Sequence, residues 1–222
     1  MLKSIDKVNH IFTVILNLVY INFLWAAFTL LGLVIFGIGP STYALACICR
    51  QWVRGKSIPV FASFLKYYKE SFRESVLVSW IYTAAGFVII VDLLSVANWY
   101  LKAALLFIGF IYVLSLIFIF PTMAHYEWKG IFFKIKMSIL FGLSCLQYSL
   151  AFMAATGIIY WAAMSFFPGI LTFIGISLFF YLSAWTANQV FTRMELANSA
   201  EVNDKNKYQI IKGNRDEEAH GI

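Results

Sequence analysis

Residues 37–50 read GIGPSTYALACICR, and they close a run from Val8 to Cys49 that holds no Asp, Glu, Lys or Arg. As a single α-helix those 42 residues would reach roughly 63 Å at about 1.5 Å per residue, twice a hydrocarbon core of about 30 Å. The run therefore holds one crossing and something else. Gly37, Gly39 and Pro40 stop the first helix near Phe36. Pro40 suits the first turn of a new helix, with Gly39 or Ser41 as its cap. From Ser41 to Arg54 the pattern is amphipathic: Tyr43, Cys47, Arg50, Gln51 and Arg54 share one face, and Ala44, Leu45, Ile48 and Trp52 another. This predicts a helix lying along the cytoplasmic membrane interface and not a second crossing.

Composition fixes the class. Of 222 residues 61% are hydrophobic and 13% charged, with a mean hydropathy of +0.78, more apolar surface than one soluble core of this length can hide. The chain reads as an all-α, polytopic membrane protein with about five spans, at 10–36, 75–97, 103–124, 137–164 and 169–192. Each is helical because lipid offers an unpaired backbone amide no partner. The third ends near Pro121. The last two come from an uncharged run, Met137 to Thr192, that is too long for one crossing and turns at Ser165–Gly169. Residues 1–192 form one transmembrane domain, and 193–222 a polar cytoplasmic tail. Fourteen of the 17 Lys and Arg fall between spans one and two, between three and four, or after five. The positive-inside rule then puts the amino terminus outside and the carboxyl terminus in the cytoplasm of a bacterial cell membrane. The net charge of +6 belongs to this asymmetry and to anionic headgroups, and nothing points to nucleic acid.

A second amphipathic helix comes after the first, completing a cytoplasmic pair over about 40–74. Phe61, Phe64, Leu65, Tyr68 and Phe72 form its apolar stripe, Lys66, Lys69, Glu70, Arg73 and Glu74 its polar face, with Ser57 as cap and Pro59 in the first turn. The stripe can lie in lipid, pack on the chain itself or meet a partner. Gly39, Pro40, Thr42, Ala44 and Leu45, the Arg54-Gly55 turn, and Phe64, Lys69, Glu70 and Phe72 make this region resemble the YesL family of small bacterial membrane proteins. Ile38 and Tyr43 depart mildly from that family's pattern. The resemblance implies a helical membrane protein encoded near carbohydrate-uptake ABC transporters and polysaccharide-degrading enzymes, and implies no reaction.

Chemistry-bearing residues are sparse. No phosphate loop, zincin or nucleophile-elbow motif is present, so no catalytic residue, metal or cofactor is expected. Asp92 sits near a span end as a hydrated helix-terminal carboxylate, with a functional role as the alternative. His125 and Glu127 are two apart and face away from one another. Asn17, Asn22, Thr83, Gln147, Asn188 and Gln189 fall within spans, either as interhelical hydrogen-bond formers or along a solute path. The Gly39-Pro40-Ser41-Thr42 helix start is a capped structural element or an anion site. With Arg50, Arg54, Phe61, Phe64, Tyr68 and Phe72 it makes up the candidate binding or docking residues. Cys47 and Cys49 point apart on a helix, so they and Cys145 are reduced thiols. The expected function is that of a non-enzymatic accessory subunit of carbohydrate uptake, seated on an ABC permease or on itself. The alternative is an autonomous, oligomeric small-solute transporter or channel.

Overall fold

The computed structural model describes residues 2–125, 130–144, 146–166, 169, 171–189, 192–193 and 199. Eight helices are described, with no strand among these residues: α1 (Leu2–Leu31), α2 (Ile38–Val53), α3 (Val60–Glu70), α4 (Phe72–Ser95), α5 (Trp99–His125), α6 (Ile131–Ser144), α7 (Leu146–Phe166) and α8 (Leu171–Gln189). Five stretches are long and apolar enough to cross a membrane: Phe12–Leu31, α4, α5, α7 and α8. The chain divides into two compact units, Met1–Ala187 and Asn188–Ile222. Of the second, only Asn188, Gln189, Thr192, Arg193 and Ser199 are described; there Thr192 Oγ1 donates to the Asn188 carbonyl at 2.8 Å.

The first helix ends at Leu31, short of Phe36. Leu33 takes the left-handed conformation at φ 57°, the Leu33 amide bonds Leu30 O at 3.0 Å, and the Val34 amide bonds Thr29 O at 2.9 Å. That is a Schellman stop with leucine where glycine usually sits. The returning chain then passes so near α1 that a Cβ on Gly37 would lie 2.9 Å from Thr29 Cα. Gly37, not Gly39 or Ser41, is the N-cap of α2. In α3 the cap is Pro59, not Ser57, because a residue before proline is biased to extended backbone and Ile58 cannot start the helix. Ser71, at φ −108° and ψ 20°, breaks what the pattern reads as one helix into α3 and α4.

α2 is the centre of the first unit. The surface-lying helix read from the pattern is instead enclosed by protein: Gly39 to Thr42 and Ala44 to Cys49 are buried. One side (Ala44, Leu45, Ile48, Cys49) packs with Ile21, Leu24, Phe64 and Ala184 of α1, α3 and α8. The other (Ala46, Cys47) packs with Val78, Tyr82, Ile119, Phe120 and Met123 of α4 and α5. Small residues on every side let its neighbours approach its backbone. α4 comes close at Gly39, where an added Cβ would lie 2.5 Å from Ser75 O.

Pro121 does not end the third span. α5 runs through it to His125, and the carbonyl that the missing proline N–H would have bonded, Ile117 O, accepts the Ser183 hydroxyl of α8 at 3.1 Å. The fourth span begins at Leu146 and not at 137. The residues before it form α6, which lies against α5 with Gly142 so near Leu114 that a Cβ would sit 3.2 Å from its side chain. The Phe167-Pro168 turn, Glu127 and Cys145 lie outside the described residues.

Gly39→Ala should therefore push α2 off α4 and cost about 1–3 kcal/mol, seen as a lower thermal midpoint of the detergent-solubilised protein. Gly157→Ala, where no described residue stands within 4 Å, should leave the midpoint unchanged. Equal midpoints for both would refute the close packing at Gly39.

Candidate functional site

The helical turn puts Tyr43, Cys47, Arg50 and Gln51 on one side of α2. Where that side reaches the end of the bundle it meets Tyr67 and Glu70 of α3, Ser71 and Glu74 at the start of α4, Met123 and Ala124 at the end of α5, and Lys134 of α6. These residues enclose a polar cavity of about 350 Å³.

Its charges are fixed by specific bonds. Arg50 Nη1 donates to Ala124 O, and Nη2 to His125 O at 3.4 Å. The guanidinium thus caps the carbonyl end of α5, where the helix dipole favours a cation. Arg54 Nη2 lies 3.2 Å from His125 Nδ1. Lys134, buried, donates from Nζ to Glu74 Oε1 at 2.7 Å and ties α6 to α4. Gln51 Nε2 donates to the Tyr67 hydroxyl at 3.4 Å. Arg50 Nε and Gln51 Oε1 are buried without a partner among the described residues.

Burial shapes the titrations. It pushes the Cys47 thiol up to about 12, with the Tyr43 hydrogen bond and Arg50 pulling the other way. It also raises the Tyr43 phenol, helped by Cys47, and the Cys49 thiol. Arg50 is lowered, first by burial and then by Arg54, yet stays charged because a guanidinium starts so high.

The other candidates lie elsewhere. Gly39, Pro40, Ser41 and Thr42 are buried in the first turn of α2, with Gly39 against α4. Thr42 Oγ1 donates to Ile38 O at 2.5 Å and accepts from Trp25 Nε1 at 3.1 Å, so its hydroxyl is engaged within the fold. The α3 stripe closes on Phe28 of α1: Phe64 is buried with ring centroids 5.1 Å from Phe28, Tyr68 stands at 5.1 Å, and half-exposed Phe61 at 6.4 Å. Phe72 meets Tyr68 edge-on at 5.5 Å. Asn22 Nδ2 donates to Thr172 O at 3.2 Å and links α1 to α8. Asn17 is half-buried, and Gln147, Gln189 and Asp92 are exposed.

A second, mostly apolar cavity of about 610 Å³ lies among the spans, with Thr42, Ser79, Thr83 and Thr156 among its lining residues. Among the described residues, none of the amides singled out in the sequence lines it. The polar cavity was half-visible in the pattern: Tyr43, Cys47, Arg50 and Gln51 form the polar face of α2, but that face looks into protein. Lys134 and Glu74 carried no signal beyond their charge.

Comparison with known proteins agrees on kinship. The family described as Protein of unknown function, DUF624, matches residues 18–93. The chain is 33% identical over 187 residues to the uncharacterized protein YteU of Bacillus subtilis (strain 168), covering 82% of this chain and 83% of that protein. It is 30% identical over 128 residues to the uncharacterized protein YesL of the same organism, 56% of this chain and 61% of YesL. With the uncharacterized protein YesV, also from that strain, it shares 27% over 188 residues, 82% and 89% of the two chains. No solved structure matches significantly.

Two outcomes test the site. Glu74→Ala strands the buried Lys134 cation and should cost about 3 kcal/mol, whereas the Glu74→Leu, Lys134→Met pair should recover most of it; thermal midpoints decide. With the Cys47 pKa near 12, Cys47 of the folded protein should react with N-ethylmaleimide at pH 8 at least about a hundredfold more slowly than after denaturation, read at that residue by peptide mass spectrometry. Above about pH 9 the unfolded thiol ionises while the folded one holds its proton, so this group's contribution to stability falls as pH climbs towards 12.

Proposed function

The chain belongs to the DUF624 family of YesL-type proteins, and from that premise we propose that it is a non-enzymatic accessory subunit of carbohydrate uptake, seated against the permease of an ABC transporter in the bacterial cell membrane. In this reading the amino terminus is outside and the polar cavity and carboxyl terminus face the cytoplasm, as the distribution of basic residues supports.

The observation that carries the reading is the surface of α7. Only 11% of its apolar window is buried within the chain, and Ala151, Ala154 and Ala155 point outward. In lipid, small residues on an open helix face are what allow another helix to approach closely, since apolar burial alone gives no preference for protein over lipid. By contrast the α3 stripe, the apolar docking surface expected from the sequence, is largely engaged with Phe28. The partner's carbohydrate character rests on the family resemblance.

The second cavity favours one further reading, an oligomeric small-solute transporter, because threonine and serine hydroxyls line an otherwise apolar space among the spans.

Photoreactive residues at Ala155 and Phe61, crosslinked in living cells and analysed by mass spectrometry, test the first reading. A recurrent ABC permease crosslinked at Ala155, lost when Ala151 is changed to Leu, is the expected result. Crosslinks to lipid and to the chain itself alone would overturn it. Solute flux in proteoliposomes holding only this protein would then establish the transporter.

A further inference from the structure

The polar cavity carries two charges that its structural bonds leave unmatched. Arg50 is held by the carbonyls of Ala124 and His125 and, among the described residues, by no carboxylate. Lys134 and Glu74 neutralise one another. Glu70 presents an exposed carboxylate at the rim with no ion pair among the described residues. Arg50 and Glu70 do not pair with each other, yet both line this one cavity, and they act on the Cys47 thiol with opposite signs.

This layout selects by charge. A simple anion drawn to Arg50 meets the field of Glu70. A simple cation drawn to Glu70 meets Arg50, with Arg54 beyond it. A molecule with an anionic and an ammonium end satisfies both poles with charge-assisted hydrogen bonds, and in a partly enclosed site such pairs weigh more than in water. Tyr43 and Tyr67 also line the cavity, and a phenol hydroxyl both donates and accepts, which suits the polar linker of such a molecule.

We propose that this cavity binds a small zwitterion, its anionic group toward Arg50 and its ammonium toward Glu70. The volume of about 350 Å³ takes a free zwitterion of phosphoethanolamine size or the headgroup of a zwitterionic phospholipid. The two sources share one chemistry. The cavity stands where α4 begins and α5 ends, the depth at which span ends meet headgroups.

The test uses the full chain in nanodiscs of phosphatidylglycerol, alone or mixed equally with phosphatidylethanolamine, and O-phosphoethanolamine as the soluble probe. A headgroup site retains phosphatidylethanolamine over phosphatidylglycerol in native mass spectra. A solute site shows a raised thermal midpoint with O-phosphoethanolamine in phosphatidylglycerol discs, and none with phosphate or ethanolamine alone. In either case Glu70→Gln, at an exposed position, should weaken binding about tenfold while the midpoint without ligand stays put, and Arg50→Lys, which keeps the cation, should retain more binding than Arg50→Gln. No binding of either zwitterion, or equal binding by the Glu70→Gln protein, would overturn the proposal.

Discussion

Everything in the first unit depends on enclosing α2. A helix with neighbours on all sides must present small side chains on all sides, and Gly39, Ser41, Thr42, Ala44, Ala46, Cys47 and Cys49 supply them. The close contact of Gly39 with the Ser75 carbonyl sets the distance between α2 and α4. The larger Leu45 and Ile48 fill the space toward α1, α3 and α8. Because interiors pack like crystals, the position of this one short helix fixes those of α1, α3, α4, α5 and α8 around it.

The polar groups obey the same logic. Away from water each needs an internal partner, and the chain finds these partners between helices: Ser183 to the Ile117 carbonyl freed by Pro121, Asn22 to Thr172, Tyr112 to the Tyr82 carbonyl. Tyr82 and Ser115 share another hydrogen bond. The first two join helices far apart in sequence, the two at Tyr82 tie the consecutive α4 and α5, and together they give the bundle a register that apolar contact with lipid-like surfaces cannot.

Much of this was legible from residue order. Uncharged runs and their lengths identify five apolar helices, and the Gly37–Pro40 region correctly separates the first of them from α2. The features that stayed hidden depend on distant partners. The burial of α2 is masked in the sequence because Tyr43, Cys47, Arg50 and Gln51 look like a face turned to water, when they line a cavity closed by α3, α4, α5 and α6; the small residues on its remaining sides are the signal of enclosure. Pro121 looked like a stop because its rescuer, Ser183, bonds a carbonyl 66 residues away. Leu33 gave no warning of a left-handed turn, since glycine is the residue that advertises one. The aromatic stripe of α3 was plain in the sequence, but Phe28, the residue it closes on, was one apolar residue among many in the first span.

The same enclosure ties the cavity to the bundle. Arg50 caps α5, Lys134 and Glu74 join α6 to α4, and Gln51 reaches Tyr67 on α3, so the walls are the bonds by which α2 is held at its charged end. An occupant that engaged Arg50 or Glu70 would alter the balance among those same bonds. Its binding energy would be shared with the packing of α2 and, through α2, with the spans around it, which is the thermodynamic meaning of coupling between a site and a fold.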